Sequence, residues 1–296
     1  MRILYATDGS EGALAGAQFL AGLPHHRNVH VHIVTARDSD DPNDGGAILV
    51  AAEEVLGKFP GHVTTATTRA DSTSEIVETL LCTADYIDAD LIVMGASGRS
   101  AVARFFMGSV SEAIARHAPI PVLLARSSEL PLRSVVIGMD GSSDARNAAC
   151  FAACKLPLPA DCALHLVQAV PQPFWAGFPD PMLAGTAEAM AVEATEAEQT
   201  KAREMLTGIA QELRESGAGS GGEGRAVEAE AIVGNPASVL LDTANAQKAG
   251  LVVVGSHGMS GMERFLLGSV SERVLRHAHC SVLVVKRRPE DVEILA

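Results

Sequence analysis

A chain of 296 residues is roughly twice the usual domain length, and its composition (47% hydrophobic, 20% charged, 27 Gly, 14 Pro) is that of an ordinary folded protein. A formal net charge of −13 without a basic tail or stripe excludes a nucleic-acid or anionic-lipid surface, though a local nest of amides can still take a small anion. The sequence has no apolar run of about 18 residues to span a membrane and no signal-peptide cleavage pattern after MRILYATDGS; five Cys without a CxxC fit a reducing cytoplasm.

In chain order, short apolar runs at 3–7, 29–36, 91–94 and 121–125, with a more polar one at 63–68, predict strands of a parallel sheet buried on both faces. Between them lie helix candidates at 10–22, 47–58, 74–88 and 109–117, with Ser10, Ser74 and Ser109 as expected N-caps. The alternation then repeats. Strands are expected at 134–139, 163–170, 226–233, 251–254 and 281–285, and helices at 143–154, 187–215, 236–247 and 269–277, with Pro236 in a first turn after Asn235. Aromatics make up only 4% of the chain, so aliphatic side chains must fill the core.

The second series is a copy of the first. ILYATDGS (3–10) returns as VVIGMDGS (135–142), and LIVMGASG (91–98) as LVVVGSHG (251–258). RFFMGSVSEAIARHA (104–118) returns as RFLLGSVSERVLRHA (264–278), and PVLLA (121–125) as SVLVV (281–285). Early pairs are offset by 132 residues and later pairs by 160, so the second copy carries an insertion. The expectation is two tandem α/β domains, 1–126 and 134–288, joined by a linker at 127–133, with the insertion at 171–224. Each is expected to hold its own five-stranded parallel sheet, with helices on both faces.

In both copies a strand runs into Gly-x2-Gly-x9-Gly-Ser: Gly95, Gly98, Gly108 and Ser109, then Gly255, Gly258, Gly268 and Ser269. Glycines let backbone amides approach a ligand, and the Gly-Ser step opens a helix whose N-terminus suits phosphate oxygens. Asp8 and Asp140 end the first strand of each copy and come to the same carboxyl edge, where a carboxylate accepts from an adenine amino group or a ribose hydroxyl or else caps the following turn. The loop has neither the lysine of a Walker phosphate loop nor the spacing of a dinucleotide fingerprint. Cys150 and Cys154 read as small core fillers rather than a metal pair, and His277 with His279 and Cys280 does not make a convincing zinc site. His257, which replaces Ser97 of the first copy, faces either a phosphate or water.

With these motifs the chain resembles a tandem member of the universal stress protein family over nearly its whole length. The resemblance implies a Rossmann-like fold of the adenine nucleotide alpha hydrolase type, and ATP as a ligand, alone or with Mg2+ or Mn2+. It places Asp8 and Asp140 at the adenine and ribose, and Ala36 and Ala169 beside the base where Val is commoner. The loop glycines cradle the phosphates, with Ser109 and Ser269 as donors. Arg99, which follows Gly98, is expected either to reach a phosphate or to solvate the loop, whereas Met259 follows Gly258, so the two sites need not be equally strong. The family's habit of pairing through the last strand implies contact between 121–125 and 281–285 in an intramolecular pseudo-dimer, and a further homodimer of chains. The expected function is that of a cytoplasmic, ATP-binding stress-response regulator acting on an unknown protein partner. Its rivals are a slow metal-dependent phosphatase and a nucleotide-independent scaffold. The aromatic insertion with Trp175 and Phe178 is expected to cover the pocket, dock on the other domain or face a partner.

Overall fold

The computed structural model describes residues 1–24, 29–37, 45–57, 59, 61–97, 107–126, 132–171, 181–217, 225–258 and 267–286. Gly98, Arg99, Trp175, Phe178, residues 127–131 of the expected linker and the glycine tract from 218 lie outside them.

The first half runs β1 (Arg2–Ala6), α1 (Glu11–Gly22), β2 (His30–Arg37), α2 (Gly46–Leu56), β3 (His62–Arg69), α3 (Thr73–Tyr86), β4 (Leu91–Gly95), α4 (Ser109–His117) and β5 (Val122–Ala125). The second runs β6 (Ser134–Met139), α5 (Ser143–Cys150), a π-helical turn (Phe151–Lys155), β7 (Ala163–Val170), α6 (Pro181–Gly217), β8 (Val227–Val233), α7 (Pro236–Ala246), β9 (Leu251–Gly255), α8 (Ser269–His277) and β10 (Ser281–Val285). Helix α6 starts earlier than the periodicity predicts and spans 37 residues.

The two five-stranded parallel sets join through the expected contact between 121–125 and 281–285, so the strands form one ten-stranded mixed sheet, in the order β3-β2-β1-β4-β5-β10-β9-β6-β7-β8. Neighbours within each half are parallel, with Ile3 opposite both Val31 and Leu91, and Val135 opposite both Leu164 and Leu251. At the centre β5 and β10 run antiparallel, with Leu283 opposite Leu123. Both strands are buried along their whole length. Left as edges they would present backbone amides and carbonyls away from water, and pairing satisfies them.

Alternation along the strands divides the core into two layers. Ile3, Tyr5 and Ile33 face α1, α2, α5 and α6, while Leu4, Ala6 and Val34 face α3, α4, α7 and α8. Helix α1 lies close to the sheet because its buried side is built of small residues: a Cβ on Gly16 would come within 2.6 Å of the Tyr5 ring. The Tyr5 hydroxyl donates to Ala13 O at 2.8 Å, and burial raises its pKa.

Three local expectations change. Ser72, not Ser74, caps α3, accepting from Glu75 N at 3.2 Å, because the helix begins earlier than the apolar pattern. At α4 the N-cap is Gly108, and Ser109 is the first helical residue with its hydroxyl left for other work. Cys154 is exposed, so it is not a core filler; Cys150 is half-buried, and the π-turn after α5 shifts the helical phase between them.

The halves also meet through α4 and α8. Arg116 pairs with Glu272 at 2.8 Å and Arg276 with Glu112 at 2.7 Å, each arginine also bonding the glutamate one turn back on its own helix. Beyond the last strands, Arg126 donates to Leu275 O at 2.6 Å, and Lys286, its repeat counterpart, donates to Arg116 O. Each half thereby caps the C-terminal turn of the other half's helix.

Candidate functional site

The Asp-Gly-Ser turns share their backbone conformation and capping bonds, and the first adds a bond from Gly9 N to Thr7 Oγ1 at 3.2 Å. Gly9 and Gly141 take φ of +76° and +83°, values that a side chain disfavours. Asp8 Oδ1 accepts from Ser10 N at 3.0 Å, and Asp140 Oδ1 from Ser142 N at 2.9 Å. Ser10 and Ser142 each cap the following helix, accepting from Ala13 N and Ala145 N at 3.1 Å.

The glycine loops are pinned in the same way. Gly108 N donates to Ala96 O at 3.0 Å and Gly268 N to Ser256 O at 2.7 Å. Ser111 and Ser271, buried one turn into the helix, send their hydroxyls to Gly95 O and Gly255 O at 2.8 and 2.7 Å. These two serines escape a reading of the motif alone, although the repeated GSVSE marks their positions. Gly95 is required by close packing: a Cβ there would sit 2.2 Å from Gly12 O.

In the first half these parts enclose a pocket of about 230 Å3. Asp8, Ala36, Gly95, Gly108 and Ser109 all line it, at the carboxyl ends of β1, β2 and β4 and the N-terminus of α4. The sequence reading missed its apolar walls: Val34, which shares a strand face with Ala36, Met94 on β4, and Ile76 and Leu80 on α3. Ser109, Val110 and Ser111, the first residues of α4, also line the pocket, and the first amides of a helix have no partner within it. One end is thus apolar, the other rich in backbone donors under a positive helix terminus, with one carboxylate between.

In the second half, Asp140, Gly255, Gly258, Gly268 and Ser269 meet at the matching edge, with half-buried Ala169 on β7 packed against the core there. The surroundings differ. Asp144 Oδ2 accepts from Ser256 Oγ at 3.1 Å and His257 N at 3.3 Å, and His257 Nδ1 lies 3.7 Å from the same carboxylate. His257 therefore faces the start of α5. Among the described residues, no group of three or more His, Cys, Asp or Glu is placed to hold a metal, and no helix is long and apolar enough to cross a membrane.

Comparison with known proteins assigns the family. The model of the universal stress protein family matches residues 1–126 and again 131–286. Universal stress protein MJ0531 of Methanocaldococcus jannaschii is 49% identical over 61 residues, 21% of this chain and 36% of that protein. Universal stress protein Mb2028c of Mycobacterium bovis is 32% identical over 208 residues, covering 68% of this chain and 63% of its own. The aligned parts thus span less than two thirds of either relative. A crystal structure of a universal stress protein from Archaeoglobus fulgidus superposes with a TM-score of 0.59 at 17% identity, covering 97% of this chain and 98% of its own. A functionally unknown protein from Pseudomonas aeruginosa does so with 0.63 at 19%, covering 98% and 94%. These two likenesses establish the fold, and the twice-matched family model makes the chain a two-domain member of the universal stress protein family.

Proposed function

We propose that the chain is an ATP-binding regulatory protein of the stress response, holding an adenine nucleotide at the carboxyl edge of its sheet and acting through ligand-dependent contact with a protein partner. In this reading the adenine packs between Val34 and Ala36 of β2 and Ile76 and Leu80 of α3. Asp8 accepts from the ribose or the adenine amino group, and the phosphates meet the backbone of the glycine loop, the Ser109 hydroxyl and the first amides of α4. The observation that carries it is the convergence of Asp8, Ala36, Gly95, Gly108 and Ser109 on one pocket, apolar at one end and donor-rich at the other.

Among the described residues that line this pocket Asp8 is the only ionisable one, which favours binding over turnover. A Mg2+ or Mn2+ ion would arrive with the phosphates, with Asp8, the one carboxylate among the described lining residues, placed to reach it or its waters. Bound nucleotide would stabilise the loop and α4, whose far end carries the contacts to the other half, and so shift the population of a partner-binding surface. Native mass spectrometry of gently purified protein tests the reading. Co-purified adenine nucleotide is expected, lost in a folded Gly108→Glu variant; retention by that variant would sink the site, and protein without nucleotide that also ignores added ATP would favour a scaffold. Intact ATP after hours of incubation would exclude the phosphatase.

A further inference from the structure

We propose that the second half is closed to nucleotide at its glycine loop by its own side chains, so that the chain binds one nucleotide, in the first half, with Asp144 setting that asymmetry. The inference rests on the nucleotide reading above.

The closure is at the glycine loop. The 132-residue repeat offset that pairs Asp8 with Asp140 pairs Gly12 with Asp144. Gly12 has no side chain, and Ser97 O lies 2.3 Å from where its Cβ would be, so helix and loop touch backbone to backbone. At Asp144 the carboxylate instead takes the His257 amide and the Ser256 hydroxyl, donors on the strand-to-loop segment that would face a phosphate. Asp140 leans on the same loop: a Cβ on Gly258 would come 2.6 Å from its Oδ2. A phosphate entering here meets two carboxylates and a donor already in use, whereas the described residues lining the first pocket include one carboxylate.

The test counts bound ATP on the full chain by native mass spectrometry and equilibrium dialysis, with hydrogen exchange at His257 as a readout that needs no nucleotide. Wild type should bind one ATP, lost in Gly108→Glu and kept in Gly268→Glu. Asp144→Gly, which copies the first half, should add a second ATP; Asp144→Asn keeps an acceptor, drops the charge and guards against misfolding by the glycine variant. In both variants the His257 amide should exchange faster, by about tenfold in Asp144→Gly, as expected for loss of a hydrogen bond to a charged acceptor. Two ATP per wild-type chain, or one lost in Gly268→Glu instead, would overturn the proposal. So would unchanged His257 exchange in Asp144→Gly. Altered exchange with no ATP in any variant would overturn the nucleotide reading and the one-site count with it, while leaving the Asp144 contact established.

Discussion

The two halves are built on one plan and differ where it matters for a ligand. Their Asp-Gly-Ser turns make the same bonds within 0.1 Å, and their glycine loops are pinned by the same serine, Ser111 or Ser271. Yet one α1 residue is Gly12 where α5 has Asp144, and one β1 residue is Ala6 where β6 has Gly138. A glycine motif therefore sets the backbone of a loop, while residues outside it set what the loop meets, the backbone of Gly12 in the first half and the carboxylate of Asp144 in the second. An intact motif is evidence of a shared scaffold before it is evidence of a shared ligand.

The sharpest test of that difference is at the closest approach. A Cβ on Gly95 would meet Gly12 O at 2.2 Å and Ala13 Cα at 2.6 Å, backbone atoms that can move only if α1 leaves β4. On Gly255 it would meet Asp144 C at 2.9 Å and Ala145 N at 3.0 Å. Gly95→Ala should cost about 3 kcal/mol or more and Gly255→Ala about 1–2 kcal/mol, read from urea midpoints at unchanged slope. Equal losses would mean that the two helices sit equally close to their strands.

The reciprocal caps offer a second contrast, because one is arginine and the other lysine. Burial lowers the pKa of both, and brings Lys286 down to about 8. The unfolded chain, with lysine near its usual value of about 10.5, then holds more protons than the folded one between those pH values. The contribution of Lys286 to stability should therefore rise with pH from about 8 to about 10.5, by at most about 3 kcal/mol. Below that window both states are protonated and the full cost of burying the ammonium is felt. The buried thiols of Cys162 and Cys280, pushed up to about 11, act in the opposite sense, so the quantity to measure is wild type minus Lys286→Met across the window. A flat difference would place the ammonium in water.

The outer edges of the sheet show a third contrast and bear on how much was legible beforehand. On β8, Gln199 of α6 donates to Ala231 O at 2.8 Å, and Arg214 reaches Val227 O. Helix α6 thus covers an edge that α2, at 11 residues, is too short to cover on β3. Gln199→Ala should cost about 1 kcal/mol, measured by urea unfolding; no loss would mean that water replaces the amide. The repeat makes the strands, the glycine motif and the polar side of the pocket readable, since matching segments must fold alike. It does not reveal the apolar wall on α3, because Ile76 and Leu80 look like any core-facing helical pair. Nor does it reveal the role of Asp144: the Gly12-to-Asp144 change is visible in the alignment of the halves, but its consequence depends on the helix start meeting a loop more than a hundred residues away.

The ion-pair quartet between α4 and α8 treats the two halves nearly alike, and its effect should be the smallest. The side chains of Glu112, Arg116, Glu272 and Arg276 are 28% to 47% exposed, so water and salt screen their attraction. A double-mutant cycle on Glu112→Gln and Arg276→Gln should give a coupling of about 0.5 kcal/mol, fading toward zero at about 1 M salt. The Arg116–Glu272 cycle should match it, as the two-fold relation of the halves requires. A coupling several times larger and insensitive to salt would make the quartet a main bond between the halves. A small one leaves that role to the buried β5–β10 pairing and the two caps, so that a change at the N-terminus of α4 is felt across the interface chiefly where Lys286 holds its last turn.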